Sequence, residues 1–322
     1  MSDRDTAITA FLAQTGHAGW ARQVIAADAS SRRYLRLTRG TKSIILMDAP
    51  PATGEDIRPF IRIANVLVSA GLHPPAILAK DVTQGLLLLS DLGSQDVAKR
   101  VEHHPTEVTQ VYRASVDVLI HLTKVAPPDL PRLTPTVAGE MLAFTGEHYA
   151  QRPVPDLIAA MTRAMAQLAP NPNILALRDY HAENLIWRPD QDGLARIGVL
   201  DFQDAFIAPL GYDLASLLRD ARRDVPDDIC TAMTEYFSTA TGAGPDFPAQ
   251  LACLGAQRNL RILGVFARLA RQMDKTRYIP MIPRVWSQLQ KDLAHPALTD
   301  LRAVVADLLP APDAALLTRL QP

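Results

Sequence analysis

Only two cysteines, Cys230 and Cys253, occur in 322 residues. They allow at most one disulfide and no cysteine-based zinc set, as expected in a reducing compartment. Neither sign of charge dominates. Lysine and arginine total 33 against 34 acidic residues, a formal charge of -1, so no global field favours nucleic acid or an anionic membrane surface as partner. No apolar run approaches the roughly 18 residues of a membrane span. The start MSDRDTAITA lacks the basic-then-apolar order of a secretory signal, and internal repeats and low-complexity stretches are missing. What remains is an ordinary globular balance, 48% hydrophobic and 21% charged, long enough for two lobes with cores. The expectation is a cytoplasmic protein with neither a nucleic-acid nor a membrane partner.

The chain changes character along its length. Arg32–Thr38 and Ser43–Met47 read as strands around an Arg39-Gly40 turn, and Ala76–Lys80 and Leu86–Ser90 as a second pair. Between the pairs, Ile57, Phe60, Ile61, Ala64, Leu67 and Val68 recur at helical spacing until Gly71. Beyond Gly93 the periodicity is helical, over Val108–Leu122, Ile158–Leu168 and Gln257–Met273. The expected fold is α+β and bilobal: residues 1–93 form a small antiparallel β lobe with one helix, 94–322 a large α-rich lobe, with a hinge near Ser90–Gly93.

One segment carries chemistry, LRDYHAENLIWRPDQDGLARIGVLDFQDA from Leu177 to Ala205. If Asp192-Gly193 is a two-residue hairpin turn, Leu185 faces Leu200 and Asn184 lies opposite Asp201; a longer loop starting at Asp190 slips that register. Opposed Cβ atoms lie about 5 Å apart, so an amide oxygen and a carboxylate there can share one hard cation such as Mg2+. Asp179, five residues before Asn184, is then close enough to orient an attacking hydroxyl and take its proton.

This D-x-x-x-x-N spacing with a strand-end aspartate is the catalytic-loop pattern of protein kinases. The segment resembles the aminoglycoside phosphotransferase and choline kinase branch, which carries a histidine after the aspartate, here His181, and GYDLASLLRD further on. SSRRYLRL (Ser30–Leu37), IILMDAPP (Ile44–Pro51), GLLLLSDLG (Gly85–Gly93) and QRNLRILGVFARLAR (Gln257–Arg271) are similar to the anomeric sugar kinases of cell-wall recycling, from about Ser30 to Tyr278. The resemblance implies a protein kinase-like fold, ATP and Mg2+ as cofactors, and phosphorylation of the anomeric hydroxyl of N-acetylmuramate or N-acetylglucosamine. It implies Asp179 as catalytic carboxylate, Asn184 and Asp201 as metal ligands, Ser90 and Leu92 in an adenine-binding hinge, and Asp213 as a brace for the catalytic loop. An aminoglycoside, choline or homoserine kinase of the same fold, and a nucleotide-binding pseudokinase, are the alternatives.

Departures from that pattern matter equally. There is no GxxxxGK(S/T), and no GxGxxG in the first lobe. The turn that should cover the phosphates is Ser30-Ser31-Arg32-Arg33, without glycine. The third strand, IILMD, offers no lysine at its centre, and Arg58–Ala70 contains no acidic partner for one. Arg32, Arg33 or Arg36 is therefore expected to face the ATP phosphates, because a guanidinium grips phosphate oxygens in a fork. On the acceptor side, His181, Asp204, Arg219 and Arg258 are the expected substrate contacts. The many arginines after Asp201 favour a neutral or anionic sugar over a polycation.

Overall fold

The computed structural model describes residues 3–25 and 32–321, so Ser30 and Ser31 of the expected phosphate-covering turn lie outside the described residues. A helix, α1 (Asp3–Gln14), precedes strands β1 (Ala21–Ile25), β2 (Arg33–Arg39) and β3 (Lys42–Asp48), helix α2 (Arg58–Ser69), and strands β4 (Ile77–Asp81) and β5 (Leu86–Ser90). The five strands form one antiparallel sheet in the order β1-β2-β3-β5-β4. Alternation along β2 separates its faces. Leu35 and Leu37 pack with Ile8, Phe11 and Leu12 of α1 and with Leu46 and Leu88. Gly40, at φ 59, takes the first place of a Gly40-Thr41 turn, one residue later than expected. On α2 the buried stripe is Phe60, Ile63, Ala64 and Leu67, while Val68 is exposed.

Helices then dominate: α3 (Val97–His103), α4 (Val108–Leu122), α5 (Pro135–Glu140), α6 (Ala143–Thr145), a π-helical turn over Gly146–Ala150, and α7 (Pro155–Leu168). Strand β6 (Ile174–Ala176) leads into a short hairpin, β7 (Leu185–Trp187) and β8 (Ile197–Val199), and β9 (Phe206–Ala208) pairs back with β6. The chain closes with α8 (Tyr212–Leu218), α9 (Asp227–Thr241), α10 (Phe247–Met273), α11 (Ile282–Leu293), α12 (Thr299–Leu308) and α13 (Ala314–Arg319). The 27-residue α10, about 40 Å long at 1.5 Å per residue, packs against α8, α11 and the π turn.

The chain forms two compact units, Met1–Val97 with Leu185–Asp204, and Ala98–Asn184 with Ala205–Pro322. The β7–β8 hairpin belongs to the first. It bridges His73 through Gly198 and Asp96 through Ile186, and Trp187 N–H donates to the Gln95 carbonyl at 2.9 Å. A Cβ on Gly198 would lie 2.7 Å from Leu92 Cδ1, so a larger residue here would displace the Leu92 side chain. The hairpin register is Leu185↔Val199, Ile186↔Gly198 and Trp187↔Ile197, one residue short of the two-residue-turn pairing. The connection is longer because Arg188 N–H bonds to the Arg196 carbonyl at 2.9 Å, and Gly193–Arg196 coils into a 3-10 turn. Asn184 and Asp201 accordingly fall outside the ladder. Asn184 ends the 3-10 turn Ala182–Asn184, and Asp201 sits at φ 53 beyond β8.

Candidate functional site

The loop from Leu177 to Asn184, in the larger unit, is tied down at each step. Arg178 has φ 75, a backbone conformation that costs a non-glycine residue energy and persists only when its surroundings over-determine it. Asp213 supplies that constraint, accepting from Leu177 N–H at 2.6 Å and Arg178 N–H at 2.9 Å. Arg258 donates to the Arg178 carbonyl at 2.7 Å and lies over the Tyr212 ring. Burial pushes the Asp213 carboxyl up to about 6 despite these donors and the Arg258 charge, so it is ionised at neutral pH. Tyr180 anchors the loop from below, its hydroxyl donating to the Ser115 carbonyl at 2.7 Å. Asp213→Ala strands two buried N–H groups, and unfolding in urea should show a loss of about 2–4 kcal/mol.

The loop's polar side chains are oriented by their neighbours. Asn184 Nδ2 donates to the Asp179 carbonyl at 2.8 Å and lies 3.1 Å from His181 Nε2. His181 is buried, and burial, with the Arg222 and Arg258 charges, holds its pKa well below the usual histidine value. The ring is thus neutral, Nε2 accepts, and the proton sits on Nδ1. These two contacts within its own loop orient the Asn184 amide. His181 therefore positions Asn184 and is too buried for the substrate contact expected of it. Asp179 is half-buried, and no described side chain hydrogen-bonds its carboxylate.

In the smaller unit, Phe202 is fully buried and packs tilted against Phe60 of α2, ring centroids 4.7 Å apart, which fixes the backbone of the preceding Asp201. Gln203 Nε2 donates to Asp201 Oδ1 at 2.8 Å and to the exposed Asp204 at 3.2 Å. Gln203 Oε1 is buried without a partner among the described residues. Arg32 Nε meets Glu55 Oε2 at 3.0 Å. Burial pushes the neighbouring Tyr34 hydroxyl up to about 12, with Arg32 opposing and Asp201 and Glu55 reinforcing the rise. Arg32, Tyr34, Glu55 and Asp201 are thus one electrostatic cluster. Glu55 lies three residues upstream of α2, outside the helix on which an acidic partner for a strand cation is expected.

The other arginines have different tasks from those expected. Arg33 and Arg4 clamp Asp48, which is fully buried, and a buried carboxylate needs such compensation. Arg36 bonds Asp91 at 2.7 Å, and Asp91 also takes Ser43 Oγ and Gly93 N–H. Arg219 pairs with the buried Asp292 at 2.9 Å. Arg258 braces the loop rather than a substrate. Ser90 gives its N–H to the Ala76 carbonyl and accepts from Ala76 N–H through its hydroxyl, both at 2.8 Å. Both cysteines are buried and free.

Among the described residues no three His, Cys, Asp or Glu side chains converge as a protein-only metal cage. A magnesium ion does not need one. It keeps waters and substrate phosphates and takes one or two carboxylates, and Asp201 in the smaller unit is one carboxylate of that kind. No helix among the described residues is long and apolar enough to cross a membrane.

Residues 22–251 match the family model described as "Phosphotransferase enzyme family". A Caulobacter vibrioides protein named N-acetylmuramate/N-acetylglucosamine kinase is 35% identical, covering 94% of this chain and 96% of its own. Its namesake from Pseudomonas aeruginosa is 34% identical over 87% and 86%. A spectinomycin phosphotransferase solved with ADP and spectinomycin is similar in fold, with a TM-score of 0.61 at 12% identity over 93% of this chain and 98% of that one. A family match over most of the chain, relatives aligned nearly end to end and a protein-kinase-like fold identify this chain as a member of the phosphotransferase enzyme family and as an ATP-dependent kinase of small molecules.

Proposed function

We propose that this kinase phosphorylates the anomeric hydroxyl of an N-acetylated amino sugar, N-acetylmuramate or N-acetylglucosamine, with magnesium-bound ATP. The observation that carries this reading is the near full-length likeness to two kinases named for those sugars. Asp179 acts on the acceptor: its carboxylate, uncommitted to any described side chain, orients the hydroxyl. The anomeric oxygen forms the new bond to the γ-phosphorus, the bond to the β,γ-bridging oxygen breaks, and the hydroxyl proton passes to Asp179. An anomeric hydroxyl is more acidic than an ordinary alcohol, because the ring oxygen withdraws electrons. A carboxylate is therefore a sufficient base.

Asn184 and Asp201 are the residues that would hold the cation, which would supply charge neutralisation to the phosphates. The Gln203 amide, bridging Asp201 and Asp204, supports Asp204 as a second carboxylate of that site. Arg32, held by Glu55, supplies the positive charge that a third-strand lysine supplies elsewhere. The Leu92 backbone meets the adenine edge. The test is an ATP-consumption assay with magnesium and a panel of N-acetylmuramate, N-acetylglucosamine, their 1-O-methyl glycosides, choline, homoserine and kanamycin. Turnover of the free amino sugars and none of the methyl glycosides is expected. Turnover of the methyl glycosides would overturn the anomeric position. Activity confined to the amine-bearing alcohols would overturn the sugar.

A further inference from the structure

We propose that a cavity of the larger unit, between α10 and the segment from Glu140 to Glu147, takes the acceptor sugar, and that Arg261 binds a carboxylate on it, setting a preference for N-acetylmuramate over the neutral N-acetylglucosamine. This rests on the amino-sugar reading above and names the residue that reads the sugar's charge.

The cavity holds about 500 Å³ and is lined by Glu140, Phe144, Glu147, Arg261, Val265 and Arg268, among others. That volume lies within the usual range of small-molecule pockets and exceeds what one hexose derivative needs. Its walls are rigid. Thr145 Oγ1 donates to the Leu260 carbonyl at 2.7 Å, and a Cβ on Gly264 would sit 2.8 Å from the Phe144 backbone, so α10 lies directly against the segment across from it. The π-helical turn Gly146–Ala150 continues that segment, and such turns recur at functional sites.

Charge decides which ligand suits the cavity. Glu140 and Glu147 are exposed at the rim, where water and salt screen them. Arg268, also exposed, lies over the Phe144 ring at 5.5 Å and bonds Gln272. Arg261 is the half-buried cation of the lining. Unlike Arg219, Arg222 and Arg258, it has neither an ion pair nor a hydrogen bond among the described residues. Burial, then the Arg178 charge, disfavours its protonated form, and Asp179 is among the groups acting on it in the opposite sense. A partly desolvated guanidinium without a carboxylate is complementary to a ligand that brings one, such as the lactyl group of N-acetylmuramate. Arg258, three residues before Arg261 on the same side of α10, bonds the Arg178 carbonyl next to Asp179 at 2.7 Å, so this stretch of the helix runs beside the loop that carries the acceptor carboxylate. A choline or aminoglycoside cation would meet like charge here.

The test compares kcat/KM for both sugars in the wild-type enzyme, Arg261→Met and Arg261→Lys. Calorimetric binding of N-acetylmuramate without nucleotide and the ATP KM are measured in parallel. In Arg261→Met the preference for N-acetylmuramate should fall by about tenfold or more, the scale of one charged hydrogen-bonding contact. The loss should appear in KM and in sugar binding, with N-acetylglucosamine and ATP little changed and Arg261→Lys recovering part of it. An unchanged ratio, with both sugars still turned over, overturns the role of Arg261 and leaves the amino-sugar reading standing. If the wild-type enzyme turns over neither sugar, that reading falls and this inference with it. Parallel losses for both sugars, with a lowered unfolding midpoint in both variants, would mark Arg261 as structural and also overturn the proposal.

Discussion

Asp179→Asn should lower kcat by about 10²–10⁴, the range that one positioned proton acceptor supplies, while ATP and sugar affinities stay within about threefold. The substitution is nearly isosteric, and it removes the carboxylate proposed to orient the hydroxyl and accept its proton. The native carboxylate takes no hydrogen bond from a described side chain, so its loss leaves no partner stranded. The loop keeps its shape through Asp213, Arg258 and Tyr180. A stability change near zero in urea, beside a large fall in kcat, separates a chemical role from a structural one. Undiminished turnover in Asp179→Asn would refute the assignment.

Asp201→Ala should abolish the dependence of nucleotide binding on magnesium. Calorimetry of the wild-type protein should show ATP affinity falling by about a hundredfold when the metal is chelated, the scale of several kcal/mol of charge neutralisation. The variant should bind ATP weakly with or without the ion. Asp201 has φ 53, so Asp201→Asn, which tolerates the left-handed region, serves as the backbone control and should also lose the metal response. Arg32→Ala makes a contrast in the same measurement. It removes a phosphate contact, so ATP should weaken while adenosine binds unchanged. Magnesium-dependent binding that survives Asp201→Ala would transfer the cation to other ligands.

Some of this was legible before any coordinates, and the limits are physical. The helix Val108–Leu122 and the strand Leu86–Ser90 were expected with the ends they have, because their signals are local: a 3.6-residue stripe, and an apolar run closed by turn residues. Helix α10 begins ten residues before the expected Gln257, since Pro248 in its first turn and Gly255 within it interrupt the apolar helical pattern there. Asp213 was expected as the brace of the catalytic loop by family resemblance, and its two backbone hydrogen bonds are the means. The arginines were the least legible. Every strand arginine looks alike in sequence, and which carboxylate each one meets depends on chain segments far away, Asp48 and Arg4 for Arg33, Asp91 for Arg36 and Glu55 for Arg32.

The amino-acid order by itself determined the periodic elements, the spacing of Asp179, Asn184 and Asp201, and the absence of a lysine from the centre of β3. Only the tertiary structure decided that the hairpin after Asn184 joins the first unit with its register shifted by one, that neutral His181 turns the Asn184 amide, and that Arg261 lines a cavity. Periodicity and turn chemistry act over a few residues, and a sequence displays them directly. A buried carboxylate draws whichever cation the folded chain brings within about 3 Å, and that neighbour can stand anywhere along the sequence.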